Sequence, residues 1–329
     1  MNASAAGSSQ SLERLARLTR LGGLLFVVGF ALCVVASIAL VGSGGTFLAA
    51  PTAQALVRVA GTPYGLAASG VFAVGGLTAL AGLGLYVVVP GLDPRLARRD
   101  FDKLRTVLGC LVAVFVLANI LTIPVVLGDR AAAVTPSRMS VSSLVVAMLA
   151  TQVAIMSVLI WRIVRPGALT WEDIGLTTTH LERRLAQGAV GGVVVLFLGV
   201  VAAFATKELL GINPDQAQQF GAVRAASPAQ FLGIWLLVAV SAPICEESFF
   251  RGYVFGVLRG RYGRPIAYVG SALMFAAAHL SLSTALPIVV VGLCLAFLYD
   301  RTRSVVPGIV AHGLFNAVQM TLLYAGVAS

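Results

Sequence analysis

Six residues in the last third of the chain have types and spacings that could do chemistry together: Glu246, Glu247, Arg251, His279, His312 and Asn316. Glu247 and Arg251 stand four apart, as do His312 and Asn316, and as do Phe275 and His279, so on helices each pair shares a face. Adjacent helical residues point about 100° apart. Glu246 and Glu247 should therefore do different jobs, Glu247 pairing with Arg251 and Glu246 facing a cavity. A carboxylate and imidazoles held at one place suit proton transfer near neutral pH. An imidazole and an amide can also donate hydrogen bonds to negative charge that develops on a reacting oxygen.

The elements that position these residues must lie in lipid. Of 329 residues, 58% are hydrophobic and 11% are charged, against about 25% charged in an ordinary soluble domain. With a mean hydropathy of +0.94, the composition excludes a soluble protein and a disordered one. The net charge of +10 would serve nucleic acid only from a basic face on a soluble surface. Here the Lys and Arg sit at the ends of apolar runs, where they set orientation instead. Taking ~20 apolar residues as one crossing, spans are expected at 21–42, 65–90, 104–127, 141–164, 186–206, 229–258, 265–282, 286–299 and 304–327. The expected fold is thus all-α, a polytopic membrane bundle of about nine helices. The short eighth span and the long sixth, which contains Pro243, depart most from standard length. Basic connections around Arg95–Arg105, Arg162–Arg184 and Arg259–Arg264 fall on one side, together with the N-terminal arginines and with Arg301 and Arg303. That pattern places the N-terminus in the cytoplasm and the C-terminus outside. The first run, after Arg14, Arg17 and Arg20, is longer than a signal-peptide core and reads as a retained anchor.

Against this frame the ionisable residues sort sharply. Of the 13 acidic residues only Glu246 and Glu247 are away from span ends; His279, His312 and Arg251 are also inside. A charge at a helix centre costs at least ~2.5 to 3.5 kcal/mol, so such residues are functional candidates by default. From the nearest basic cluster Glu246, His279, His312 and Asn316 lie ~20, ~22, ~14 and ~20 Å deep along their helices, near the middle of a ~30 Å hydrocarbon layer. Three helices deliver them to one level.

Other polar or small residues have plainer readings. Cys33, Cys110, Cys245 and Cys294 lie in apolar runs with no CxxC spacing, so neither disulfides nor a cysteine zinc site is expected. Cys245 beside Glu246 reads as a small hydrophobe. Asn119 reads as a helix-packing amide, His180 as an exposed polar residue, and the glycines at 75–84 and 188–192 as sites of close helix approach. Any boundary falls in the connection 166–187, separating an N-terminal four-helix region, 1–165, of unknown role from a motif-bearing core, 166–329.

Glu246-Glu247-Ser248-Phe249-Phe250-Arg251 resembles the EExxxR signature of the CAAX-protease and bacteriocin-processing (CPBP, or Abi) family of intramembrane endopeptidases, which includes type II CAAX prenyl endopeptidases. Phe275-x-x-x-His279 resembles its FxxxH motif, and His312-x-x-x-Asn316 its HxxxN or HxxxD motif. Trp171-Glu172-Asp173-Ile174-Gly175-Leu176 resembles the segment that often precedes the core. The resemblance covers roughly 170–329. It implies that Glu246 and His279 activate water for attack on a peptide carbonyl, that His312 and Asn316 stabilise the oxyanion, and that Glu247, Arg251 and Phe275 are supports. It is compatible with a zinc or other divalent ion on Glu246, His279 and His312, and equally with a metal-free glutamate mechanism. The implied partners are a membrane-associated peptide or protein substrate and the lipid bilayer, with no nucleic acid. A high ratio of Arg to Lys and richness in Ala and Val point to a bacterial cytoplasmic membrane. Two other readings compete. Intramembrane Glu, His and Arg also build proton-coupled transporters, though the first half of the chain has no counterpart of the polar residues. An idle family member acting as a membrane scaffold is the other.

Overall fold

The computed structural model describes residues 2–42, 63–131, 140–212 and 221–326. All the regular structure among them is helical, and eight helical stretches are long and apolar enough to cross a membrane. The expected all-helical polytopic bundle is therefore what the chain forms. The stretches 43–62, 132–139 and 213–220, which fall in the connections opposite the basic ones, lie outside the described residues.

Two compact units divide the chain, Met1–Arg99 and Asp100–Ser329. In the first, α1 (Asn2–Gly42) packs along α2 (Pro63–Leu92). The polar leader is not a separate segment but the start of α1. A Cβ on Gly29 would sit 2.3 Å from Ala79 N, and one on Gly82 2.3 Å from Phe26 N. Only glycine lets these backbones come so close, which is the small-residue packing expected of a membrane helix pair. Unit one also holds most of α3 (Pro94–Asp100).

The second unit contains every candidate site residue. It comprises α4 (Leu104–Ala131), α5 (Val141–Val164), α6 (Leu181–Leu210), α7 (Gly221–Arg224), α8 (Pro228–Tyr262), α9 (Arg264–Ala278), α10 (Ala285–Thr302) and α11 (Val306–Tyr324). Helix α8 starts in a capping box: Gln230 N donates to Ser227 Oγ and Ser227 N to Gln230 Oε1 at 2.9 Å, with Pro228 in the first turn. It then runs for 35 residues, because Pro243 does not end it. The helix widens into π geometry at Leu237–Ser241 and again at Ser248–Phe255. Widening accommodates the proline ring, which would otherwise strike a carbonyl one turn back.

The seventh expected span differs most. Helix α9 is only fifteen residues long, Arg264–Ala278, a length of about 22 Å. It is too short to meet the length of a crossing. The chain turns at Leu280, whose φ of 52° is left-handed, a conformation that costs a leucine roughly 1 to 2 kcal/mol. The predicted eighth span, by contrast, is long enough as α10. Helices α6, α9, α10 and α11 pack in sequence, α9 on α10, α10 on α6, and α6 on α11.

The basic connections do more than orient the chain. Asp300, almost buried at the end of α10, takes ion pairs from Arg259 at 2.7 Å, Arg264 at 3.1 Å and Arg303 at 3.6 Å, and a hydrogen bond from the Tyr268 hydroxyl at 3.3 Å. One carboxylate thus ties the ends of α8, α9 and α10. The segment before α6 is also docked: Val305 N and Ser304 Oγ both donate to Gly175 O, at 3.1 and 2.9 Å. Buried Ile174 lies where a Cβ on Gly252 would come within 2.2 Å of it. Asp173 accepts from Thr170 N and Oγ1, both at 2.8 Å, and these bonds hold its carboxyl below the ordinary range. Arg162, counted among the topology markers in the sequence, is buried, with Nε and Nη1 lacking a hydrogen-bond partner among the described residues.

Candidate active site

The wide turns of α8 bring all the side chains of Ser248–Phe255 into the interior, together with Glu247 just before them. Glu247 and Arg251 are 0% and 1% exposed, and Arg251 Nη1 donates to Glu247 Oε1 at 2.9 Å. The expected pair is therefore formed, and it is more elaborate than a pair. Arg251 Nη2 donates to Gly292 O at 3.2 Å, and its guanidinium carbon lies 4.3 Å from the centre of the Phe275 ring. Three elements, α8, α9 and α10, thus meet at one guanidinium.

Glu247 also reaches α11. His312 Nδ1 lies 3.0 Å from Glu247 Oε1, and since a carboxylate accepts, Nδ1 carries the proton. The other ring nitrogen, Nε2, faces Glu246 Oε2 at 3.8 Å. A carboxylate that orients one imidazole nitrogen so that the other faces a second group is a recurrent positioning device. The close approach depends on Gly308: a Cβ there would lie 2.9 Å from Glu247 Oε2. Glu246 itself keeps partial exposure, its side chain 18% accessible. The adjacent carboxylates therefore divide as the helical angle predicts, one locked in the interior and one open.

His279 occupies the C-cap of α9, immediately before the left-handed Leu280. Its Nδ1 is 2.8 Å from Phe275 O. A carbonyl only accepts, so this nitrogen carries the proton, and in the neutral imidazole Nε2 has the lone pair. The Phe275 ring stands edge-on to both histidines, 4.8 Å from His279 and 5.7 Å from His312 between centroids. Phe275 is the spacer between the two imidazoles. Among the described residues no hydrogen bond or ion pair joins His279 to Glu246. Nor do three His, Cys, Asp or Glu side chains gather there as a metal site. Glu246, His279 and His312 thus do not form the three-ligand set that the metal-assisted alternative needs, and no step below passes through a metal.

Asn316 is engaged in a way its spacing did not announce. Its Nδ2 donates to Val238 O at 2.9 Å. The reason lies in Pro243. Within the first π segment Ala242 N–H reaches Leu237 O, and the next residue in that register would reach Val238 O, but proline has no N–H. Asn316 supplies the missing donor. A Cβ on neighbouring Gly313 would fall 2.5 Å from Ala239 O, so α11 is pressed against this break. Gln152 of α5 braces the same segment, donating to Leu237 O at 3.1 Å and accepting from Ser241 Oγ. One amide hydrogen of Asn316 remains for other work.

Replacing Asn316 by alanine should therefore destabilise the fold by about 1 to 3 kcal/mol, the cost of an unpartnered buried carbonyl. Pro243→Ala restores an N–H beside that carbonyl. In its background the Asn316 substitution should cost measurably less in thermal unfolding, and additive losses would dissociate the two residues.

Residues 228–318 match the family model described as type II CAAX prenyl endopeptidase Rce1-like. The matched stretch includes Glu246, Glu247, Arg251, Phe275, His279, His312 and Asn316, and it is consistent with the CPBP resemblance carried by their motifs. No curated protein and no solved structure matches the chain.

Proposed function

From that type II CAAX prenyl endopeptidase-like segment in a polytopic membrane bundle, we propose that the chain is an intramembrane endopeptidase. It hydrolyses a peptide bond of a membrane-associated peptide or protein. The observation that carries this reading is the division of labour between the paired glutamates: Glu247 is buried on Arg251 and His312, while Glu246 is open and faced by His312 Nε2.

Glu246 takes a proton from water as the oxygen attacks the carbonyl carbon, and returns it to the amine nitrogen when the C–N bond breaks. His279 assists, because the lone pair on Nε2 can accept from the same water. The tetrahedral oxyanion is stabilised by His312 and by the spare amide hydrogen of Asn316. For His312 to donate from Nε2 it must carry protons on both nitrogens, with Nδ1–H held on Glu247 Oε1. Each such donor is worth ~2.7 to 4 kcal/mol in the transition state. In the membrane the N-terminus lies in the cytoplasm, and α9 with α10 forms a hairpin whose two ends meet at Asp300 on that same side, so the pair adds no net crossing and α11 ends outside. Residues 1–165 are an N-terminal region of unknown role that precedes the catalytic core at 166–329, and its last helix, α5, reaches that core through Gln152.

The test compares membrane peptides from cells carrying the wild type or Glu246→Gln. Peptides that accumulate uncut only in the variant should be cleaved by purified wild-type protein. If the two profiles coincide and purified protein cuts none of the candidate peptides, the proposal fails. Treating the purified protein with a chelator, then resupplying zinc, distinguishes the metal-free route from a metal-assisted one.

A further inference from the structure

A groove of about 840 Å³ runs along the outside of the second unit between α6 and α10. Its floor exists because Gly191 leaves room there: a Cβ would meet Leu298 Cδ1 at 2.6 Å. Its walls are exposed apolar side chains, Val190 and Val194 on one side and Phe297 on the other. At one end the lining changes to Arg183, Gln187 and Arg301. From Arg183 to Leu198, the innermost α6 residue that lines it, is about 22 Å along the helix. A single leaflet offers about 15 Å of hydrocarbon depth. The groove is thus long enough for one acyl chain with its headgroup at the arginines.

The charge at that end selects the headgroup. Arg259, Arg264 and Arg303 are all engaged by the one carboxylate of Asp300. Arg183 and Arg301 make no ion pair among the described residues, and the Arg301 guanidinium is held over the Phe297 ring, 5.0 Å from its centre, at the groove wall. Two guanidiniums at a lipid-facing mouth match a phosphate bidentately. A zwitterionic headgroup would bring an ammonium against them. We propose that this groove is a binding site for an anionic phospholipid, with an acyl chain between α6 and α10 and the phosphate between Arg183 and Arg301. The proposal is independent of the peptidase reading, since the groove shares no residue with the glutamate and histidine site.

The full-length protein, exchanged into an equimolar mixture of phosphatidylglycerol and phosphatidylcholine, is examined by native mass spectrometry. One retained phosphatidylglycerol with about a tenfold preference is expected. Arg183→Gln with Arg301→Gln should abolish the preference, while Arg14→Gln with Arg95→Gln, which removes the same charge elsewhere, should leave it intact. Val194→Trp fills the groove and should remove the retained lipid of either kind with the helical melt unchanged. Equal retention of both lipids by the wild type, or a preference that survives the Arg183 and Arg301 changes, overturns the proposal.

Discussion

Arg251→Gln is expected to lower the stability of the folded protein by about 3 to 5 kcal/mol, the usual cost of leaving one member of a buried ion pair alone. The guanidinium is 1% exposed and ties Glu247 on its own helix to Gly292 O on α10 and to the Phe275 face on α9. Its loss strands Glu247, whose Oε2 already has no hydrogen-bond partner among the described residues. Arg251→Lys keeps the charge but not the planar fork, so it should fall between. The double change Glu247→Gln with Arg251→Gln removes both charges and should recover part of the thermal stability lost by Arg251→Gln alone. Additive losses in that cycle would show that the contact between them carries little energy. Peptidase activity should fall with stability in each of these variants, because His312 loses its anchor when the Glu247 carboxylate shifts or disappears.

How much of this arrangement could be read from the residues alone follows from the range of the interactions. The Glu247–Arg251 pair is four residues long and depends only on helical geometry, so it was legible and is found. The meeting of Glu246 with His312 was legible as a shared depth, and the two side chains do face each other. The second partner of Glu247 was not, because His312 lies 65 residues away and no local period links them. The end of α9 was hidden by composition. The run 265–282 stays apolar through His279, Leu280 and Leu282, and hydropathy does not register a left-handed turn at Leu280. Pro243 was visible as an irregularity, but a π segment shifts the register by one residue. Only the folded helix shows that Val238 O is the orphan and Asn316 its donor. Asp300 was set aside as one more acidic residue at a span end. A lone carboxylate among Arg259, Arg264, Arg301 and Arg303 was the signal that could have marked it.

Glu246→Gln is expected to reduce turnover by about 10² to 10⁴, the range a positioned general base contributes, and to leave stability within about 1 kcal/mol, as for a substitution away from buried networks. The split follows from the surroundings of the side chain. Glu246 makes no hydrogen bond among the described residues, and His312 Nε2 lies 3.8 Å from its carboxylate. Glutamine keeps the volume and removes the proton acceptor. Glu247→Gln should behave oppositely. Its amide leaves Arg251 uncompensated in the interior and offers His312 Nδ1 a weaker acceptor, so folding and activity should fall together. Side-by-side melting curves and cleavage rates of the two variants, purified in the same lipid, provide the measurement. A Glu246→Gln protein with wild-type turnover would remove Glu246 from the mechanism. A stably folded but inactive Glu247→Gln protein would then transfer the base to its neighbour, because that carboxylate lies 3.0 Å from His312 Nδ1.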